Sequence, residues 1–172
     1  MMTIFTTQLL GRLKTIAQED ELLEDAARLL CQSLIGEGNL FIDAYGEMGV
    51  LAEALYGQDR LERVNPLSLD GSFAEIDHVD RALLVARTSH HPKLMEAATF
   101  LHTRHVPFVV IVAKHEANDL DTLADFIIDL NCLEGLVPDE TGKRVGHPTS
   151  IAALYCFISL QLMIKEMLED YQ

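Results

Sequence analysis

The sequence predicts an α/β fold, a three-layer sandwich whose five-stranded parallel sheet is flanked by helices, and three observations carry that expectation. Short continuous apolar runs recur at residues 40–42, 81–86, 108–112 and 126–130, the pattern of strands covered on both faces. Stretches with helical spacing of apolar residues separate them, and strands alternating with helices imply parallel βαβ units with right-handed crossovers. Finally, 172 residues with 49% hydrophobic content suffice for one packed core and need no second domain.

Taken in order, residues 3–35 show helical spacing, with Leu9, Leu13 and Ile16 on one face and Leu22, Leu23, Ala26, Leu29 and Leu30 on another. Two helices or one bent helix are expected. Gln18, Glu19 and Asp20 form the break, with Asp20 suited to capping the second segment. This segment, residues 1–36, is expected to pack on the sheet or on a partner subunit. A helix over 47–56 follows the first strand, 63–67 reads as a short edge strand, and 92–104 as a helix started by Pro92. Residues 130–146, with Gly135, Pro138, Gly142 and Gly146, read as a long irregular connection. A closing helix spans 149–168.

Composition excludes several function classes. The chain carries 27 acidic and 13 basic residues, a formal net charge of −14, which argues against nucleic acid and against an anionic membrane as partners. Cys31, Cys132 and Cys156 are odd in number, far apart and set in apolar stretches, which suits reduced core thiols in a cytoplasmic protein. Residues 1–11 lack the features of a secretory signal. The apolar run at 151–160 is short for a membrane span and is expected to be a buried helix.

Two strand-to-helix junctions hold the candidate chemistry. In Asp43-Ala44-Tyr45-Gly46-Glu47-Met48-Gly49, the glycines allow close backbone approach and the helix behind offers free N–H groups. In Ala86-Arg87-Thr88-Ser89-His90-His91-Pro92, two hydroxyls, a guanidinium and two imidazoles precede a helix start. Parallel sheets bind ligands beyond the carboxyl ends of their strands, where strand order reverses. Gly46, Glu47, Thr88, Ser89, His90 and His91 are therefore the candidate ligand-binding residues. Alternatively, Gly46 serves only as a turn residue and Thr88 or Ser89 only as an N-cap.

Residues 38–55, GNLFIDAYGEMGVLAEAL, resemble the opening strand, glycine turn and helix of sugar isomerase (SIS) domains, the phosphosugar-binding fold of phosphoheptose isomerases and of proteins handling glucosamine phosphate. Residues 83–98, LLVARTSHHPKLMEAA, are similar to that family's second strand and its Ser-x-Ser-Gly-x-Thr phosphate loop, and the later strands and terminal helix follow the family's order. The resemblance implies a flavodoxin-like strand order, a sugar-phosphate ligand, no cofactor, and a homodimer or homotetramer. Thr88 falls on a family serine, while Ala86, Ser89 and His91 replace the other serine, the glycine and the threonine. Met48 stands where the first turn usually ends in serine. Tyr155 and Ala152 stand where phosphoheptose isomerases carry a His and a Gln.

Aldose–ketose isomerisation needs a base and a group that handles the sugar oxygens. Glu47 and His147 are the candidate catalytic pair, with Glu53 as a third residue to test. Glu47 is equally suited to helix capping, and His147 to plain solvation. His102 and His105, one helical turn apart, together with Glu134, would suggest a metal, but no Cys/His framework requires one and helix-end histidines also cap carbonyls. The sequence thus predicts no metal. The expected function is phosphosugar binding, with phosphoheptose isomerase activity, a non-catalytic sugar-phosphate or nucleotide sensor, and a purely structural subunit as its versions.

Overall fold

In a computed structural model that describes residues 1–46 and 48–172, the N-terminal segment forms two helices, α1 (Met2–Gln18) and α2 (Asp20–Ile35), that part at Glu19. Asp20 lies inside the first turn of α2, where its carboxylate accepts the Glu21 N–H at 3.0 Å. Glu19, and not Asp20, is the capping position. The rest of the chain runs β1 (Leu40–Tyr45), α3 (Val50–Tyr56), β2 (Val64–Pro66), β3 (Ser68–Leu69), β4 (Ser72–Phe73) and β5 (Arg81–Thr88). It continues through α4 (Pro92–Thr103), β6 (Phe108–Ala113), α5 (Leu120–Leu123), β7 (Phe126–Asp129), β8 (Val137–Pro138), β9 (Arg144–Val145) and α6 (Thr149–Glu169).

Five strands form one parallel sheet in the order β2-β1-β5-β6-β7. Renumbered within the sheet this is 2-1-3-4-5, the flavodoxin-like order. Side chains along β5 alternate between two cores. Leu83 and Val85 join the layer made with α2, α3 and α6, whereas Ala82, Leu84 and Ala86 join the layer under α4. That division explains the unbroken apolar runs, because both faces of each central strand are dry.

The segment expected to be irregular holds a small antiparallel hairpin, with Val137 opposite Val145 and Pro138 opposite Arg144. A second hairpin pairs β3 with β4 through a turn at Asp70 and Gly71, both at positive φ (52° and 78°). Helix α6 is 21 residues long and, by length and composition only, apolar enough to cross a membrane, a test that the core helix of a soluble protein also passes. One face of it packs on α2 and the sheet through Ala152, Ala153, Cys156, Phe157, Leu160 and Ile164. All three cysteines are buried free thiols, and burial pushes each thiol pKa up.

Candidate functional site

Chain order reverses between β1 and β5, the neighbours from which the sheet grows outward in both directions. Tyr45 and Ala86 face each other in register there, so the loops leaving these strands lie side by side at the carboxyl edge of the sheet, the edge where parallel sheets bind ligands. On the β1 side, Gly46 adopts φ +91° with open space around its Cα, a conformation that favours glycine. Glu47 lies outside the described residues. Met48 is buried, and the Ser150 hydroxyl at the start of α6 lies 3.7 Å from its sulfur. Ser150 thereby brings the segment carrying His147 toward the first loop; His147 itself is exposed.

On the β5 side a register shift between Val85 and Thr88 bends the strand end before α4. Thr88 is half-buried, and its carbonyl accepts the His91 N–H at 3.3 Å. His91 occupies the N-cap of α4 and Pro92 the first turn, with no side chain among the described residues capping the free N–H groups. The His91 Nδ1 is buried without a hydrogen-bond partner among the described residues, and its ring stacks on Tyr45 at 5.9 Å. A polar atom in that state costs about 1–3 kcal/mol if left unmatched.

Ser89 turns inward and is 1% exposed. Its Oγ accepts the His115 backbone N–H at 2.9 Å and sits 3.2 Å from His115 Nδ1. The hydroxyl still has its proton and a second lone pair to offer Nδ1, so it holds the ring in either tautomer. The hydroxyl expected to touch a ligand therefore positions a histidine. The His115 ring lies parallel to that of His90, centroids 4.1 Å apart, and His90 Nε2 donates to the Ala117 carbonyl at 2.7 Å. Sequence reasoning missed His115; its signal was a polar residue just past the end of β6, on the ligand-binding edge of the sheet.

The remaining candidates lie elsewhere. Glu53 folds back over Gly57 at the far end of α3, since a Cβ on Gly57 would meet its carboxylate. Tyr155 and Ala152 sit in the apolar layer of α6. Helix α4 ends at Thr103, and His105 falls beyond it at φ +57°, so the one-turn spacing with His102 is lost. His102 Nδ1 instead meets the Leu123 carbonyl at 3.3 Å. Among the described residues no group of three or more His, Cys, Asp or Glu is placed to hold a metal.

A five-stranded parallel sheet in the order 2-1-3-4-5 with helices on both faces is the fold of the sugar isomerase domains, and the chain has that fold. MJ1247 of Methanococcus jannaschii, whose structure infers a molecular function of 3-hexulose-6-phosphate isomerase, superposes with TM-score 0.68 at 16% identity, covering 98% of this chain and 89% of that one. The Vibrio vulnificus NanR protein, complexed with ManNAc-6P, gives TM-score 0.60 at 10% identity, covering 98% of this chain and 62% of that one. The sugar isomerase domain of an RpiR transcription factor from Sphaerobacter thermophilus gives 0.59 at 14%, covering 98% and 97%. By sequence the chain belongs to the family described as Domain of unknown function DUF2529, whose model matches residues 1–168. It is 30% identical over 174 residues to the uncharacterised protein YwjG of Bacillus subtilis (strain 168), covering 99% of both chains.

Proposed function

We propose that this protein binds a sugar phosphate in the crevice between the first loop and the Thr88–His91 loop. The observation that carries this is the unpartnered, buried His91 Nδ1 at the uncapped start of α4, where backbone N–H groups and the helix dipole favour an anion. Thr88 supplies a hydroxyl, His90 and the Ser89-held His115 supply the wall, and Gly46 leaves room for the sugar. The MJ1247 and NanR likenesses support the ligand class. Thermal melting against sugar phosphates and the matching unphosphorylated sugars tests it: at one hundred times Kd a ligand adds about 2.7 kcal/mol of stability. The phosphorylated forms alone are expected to stabilise the fold, and no shift with any of them sinks the proposal.

The site favours a sensor over an isomerase. Met48 and Ala86 remove two hydroxyls of the usual phosphate clamp, and Tyr155 and Ala152 leave no acid and base on α6. In the isomerase version, Glu47 and His147 would interconvert sedoheptulose 7-phosphate and its aldose isomer. Turnover abolished by Glu47→Gln or His147→Ala would establish that version, and stabilisation without turnover the sensor. The RpiR likeness supports the sensor. We place the protein in the cytoplasm, as a single domain that forms a homodimer or homotetramer through α1 and α6.

A further inference from the structure

The wall that His90 and His115 give the crevice is a pair of stacked rings, parallel to within 10° and with centroids 4.1 Å apart. His90 lies in the loop after β5 and His115 in the loop after β6, and both rings are held without a ligand. Ser89, 1% exposed, accepts the His115 backbone N–H at 2.9 Å and lies 3.2 Å from its Nδ1. His90 Nε2 donates to the Ala117 carbonyl at 2.7 Å, which pins that ring at one edge while His115 covers one face. His90 is nevertheless exposed, and among the described residues no second ring stacks on it. The result is a flat, fixed aromatic surface with its other face open to solvent.

Such a surface discriminates among phosphorylated ligands. A sugar ring has no π face to offer it, whereas every nucleobase has one and stacks on aromatic side chains, histidine included. A ring that is already pinned also loses little further freedom when a base lands on it. The order along the chain suits the same ligand. His90 directly precedes His91, the N-cap of α4, and Pro92 has no N–H, so the first-turn donors facing the loop are those of Lys93 and Leu94. A phosphate held there and a base on His90 are neighbours on one loop, and a ribose is the link between them. Two buried side-chain atoms lack a hydrogen-bond partner among the described residues, His91 Nδ1 and Asn118 Oδ1. One belongs to each of the loops that carry the stack, so the polar demand left unmet by the fold is concentrated beside it.

We propose that the ligand of this crevice is a nucleoside 5′-phosphate, its base stacked on the open face of His90 and its phosphate at the start of α4. This narrows the sugar-phosphate assignment and rests on it. The test is calorimetric titration of the full-length protein, in phosphate-free buffer, with the 5′-monophosphates of adenosine, guanosine, cytidine and uridine, and with ribose 5-phosphate, which lacks only the base. At least one nucleotide is expected to bind about tenfold or more tighter than ribose 5-phosphate, the worth of one base stacked on an aromatic side chain. Its base protons are expected to move upfield in NMR spectra of the complex, from the ring current of the imidazole. In His90→Ala the advantage over ribose 5-phosphate is expected to shrink about tenfold. In His90→Phe, which keeps a flat ring, the advantage and the upfield shift are expected to persist, which decides the matter even if the alanine variant fails to fold. Nucleotides that bind no tighter than ribose 5-phosphate, or an advantage unchanged in His90→Ala, overturn the proposal and leave the crevice a site for a sugar phosphate without a base. Binding by neither nucleotides nor any sugar phosphate removes the crevice assignment itself, and this proposal with it.

Discussion

Individual side chains in this protein complete backbone ends that the fold leaves open. Arg63, itself at φ +56°, reaches the last carbonyls of α2 and the residues beyond, donating to Ser33 at 3.5 Å, Gly36 at 3.1 Å, and also to Leu34 and Gly38. A cation there satisfies orphan acceptors and opposes the helix dipole, so Arg63→Ala is expected to cost about 2 kcal/mol in urea unfolding. Arg63→Gly should cost less than the alanine variant, because glycine carries no penalty at that φ. Ser89→Ala strips His115 of two bonds and is expected to cost about 1–3 kcal/mol and to weaken sugar-phosphate affinity, whereas Ser89→Cys should lose less. Of this, Thr88 and the two loops were legible, because strand ends followed by glycine or Pro are local signals. The Ser89–His115 contact was not, since it joins residues 26 positions apart through the register of β5 and β6. The Cys156 thiol, pushed up to about 12 by burial from an ordinary 9.0, gives a pH test. Its contribution to stability is complete below pH 9 and is lost as pH rises toward 12, at up to about 1.4 kcal/mol per pH unit. Between pH 9 and 11 the unfolding free energy should therefore fall less steeply in Cys156→Ala than in the native chain.

At the scale of elements, what could be read from the sequence was whatever buries two faces. The runs in β1, β5, β6 and β7 each begin at the expected residue and end within three residues of the expected bound. The hairpins escaped because strands of two residues have no measurable period. The Asp70–Gly71 pair was the local mark of the first, a dipeptide suited to positive φ at both central positions. The β8–β9 hairpin is held by contacts that leave no trace in local sequence. A Cβ on Gly135 would sit 2.3 Å from the Val145 carbonyl oxygen, and the Arg144 guanidinium binds the Gly135 and Leu136 carbonyls at 2.9 and 3.0 Å. Gly135→Ala is accordingly expected to unseat β8–β9 at a cost of about 1–3 kcal/mol, with faster proteolysis confined to residues 130–147. Gly142→Ala, at φ +83° but with open space around it, should cost about 1 kcal/mol and leave the hairpin protected. Equal proteolysis of the two variants would show that Gly135 is not the close contact described.

For the whole molecule, the unmet demand is apolar surface on one side. Helix α1 is 17 residues long but buries Ile16 alone, and Met2, Ile4 and Leu10 stay more than half exposed. It packs against α6, whose outer face carries Ile151, Ile158 and Leu162, seven and four residues apart and all exposed. That spacing sets them on one stripe of the helix. In the proposed homodimer a second copy covers these stripes, each copy's α1 and α6 against its partner's, and their burial would be worth roughly 25 cal/mol per Å². Charge sets α1 apart from the rest of the chain: it carries Arg12 and Lys14 and no acid, in a chain with a net charge of −14. Light scattering at micromolar concentration is expected to give at least a dimer. Leu162→Glu, on an exposed position that leaves the core intact, is expected to yield a folded monomer with an unchanged sheet by circular dichroism. A native chain that is monomeric across that range would refute the assembly, and a Leu162→Glu protein that stays dimeric would move the contact away from α6.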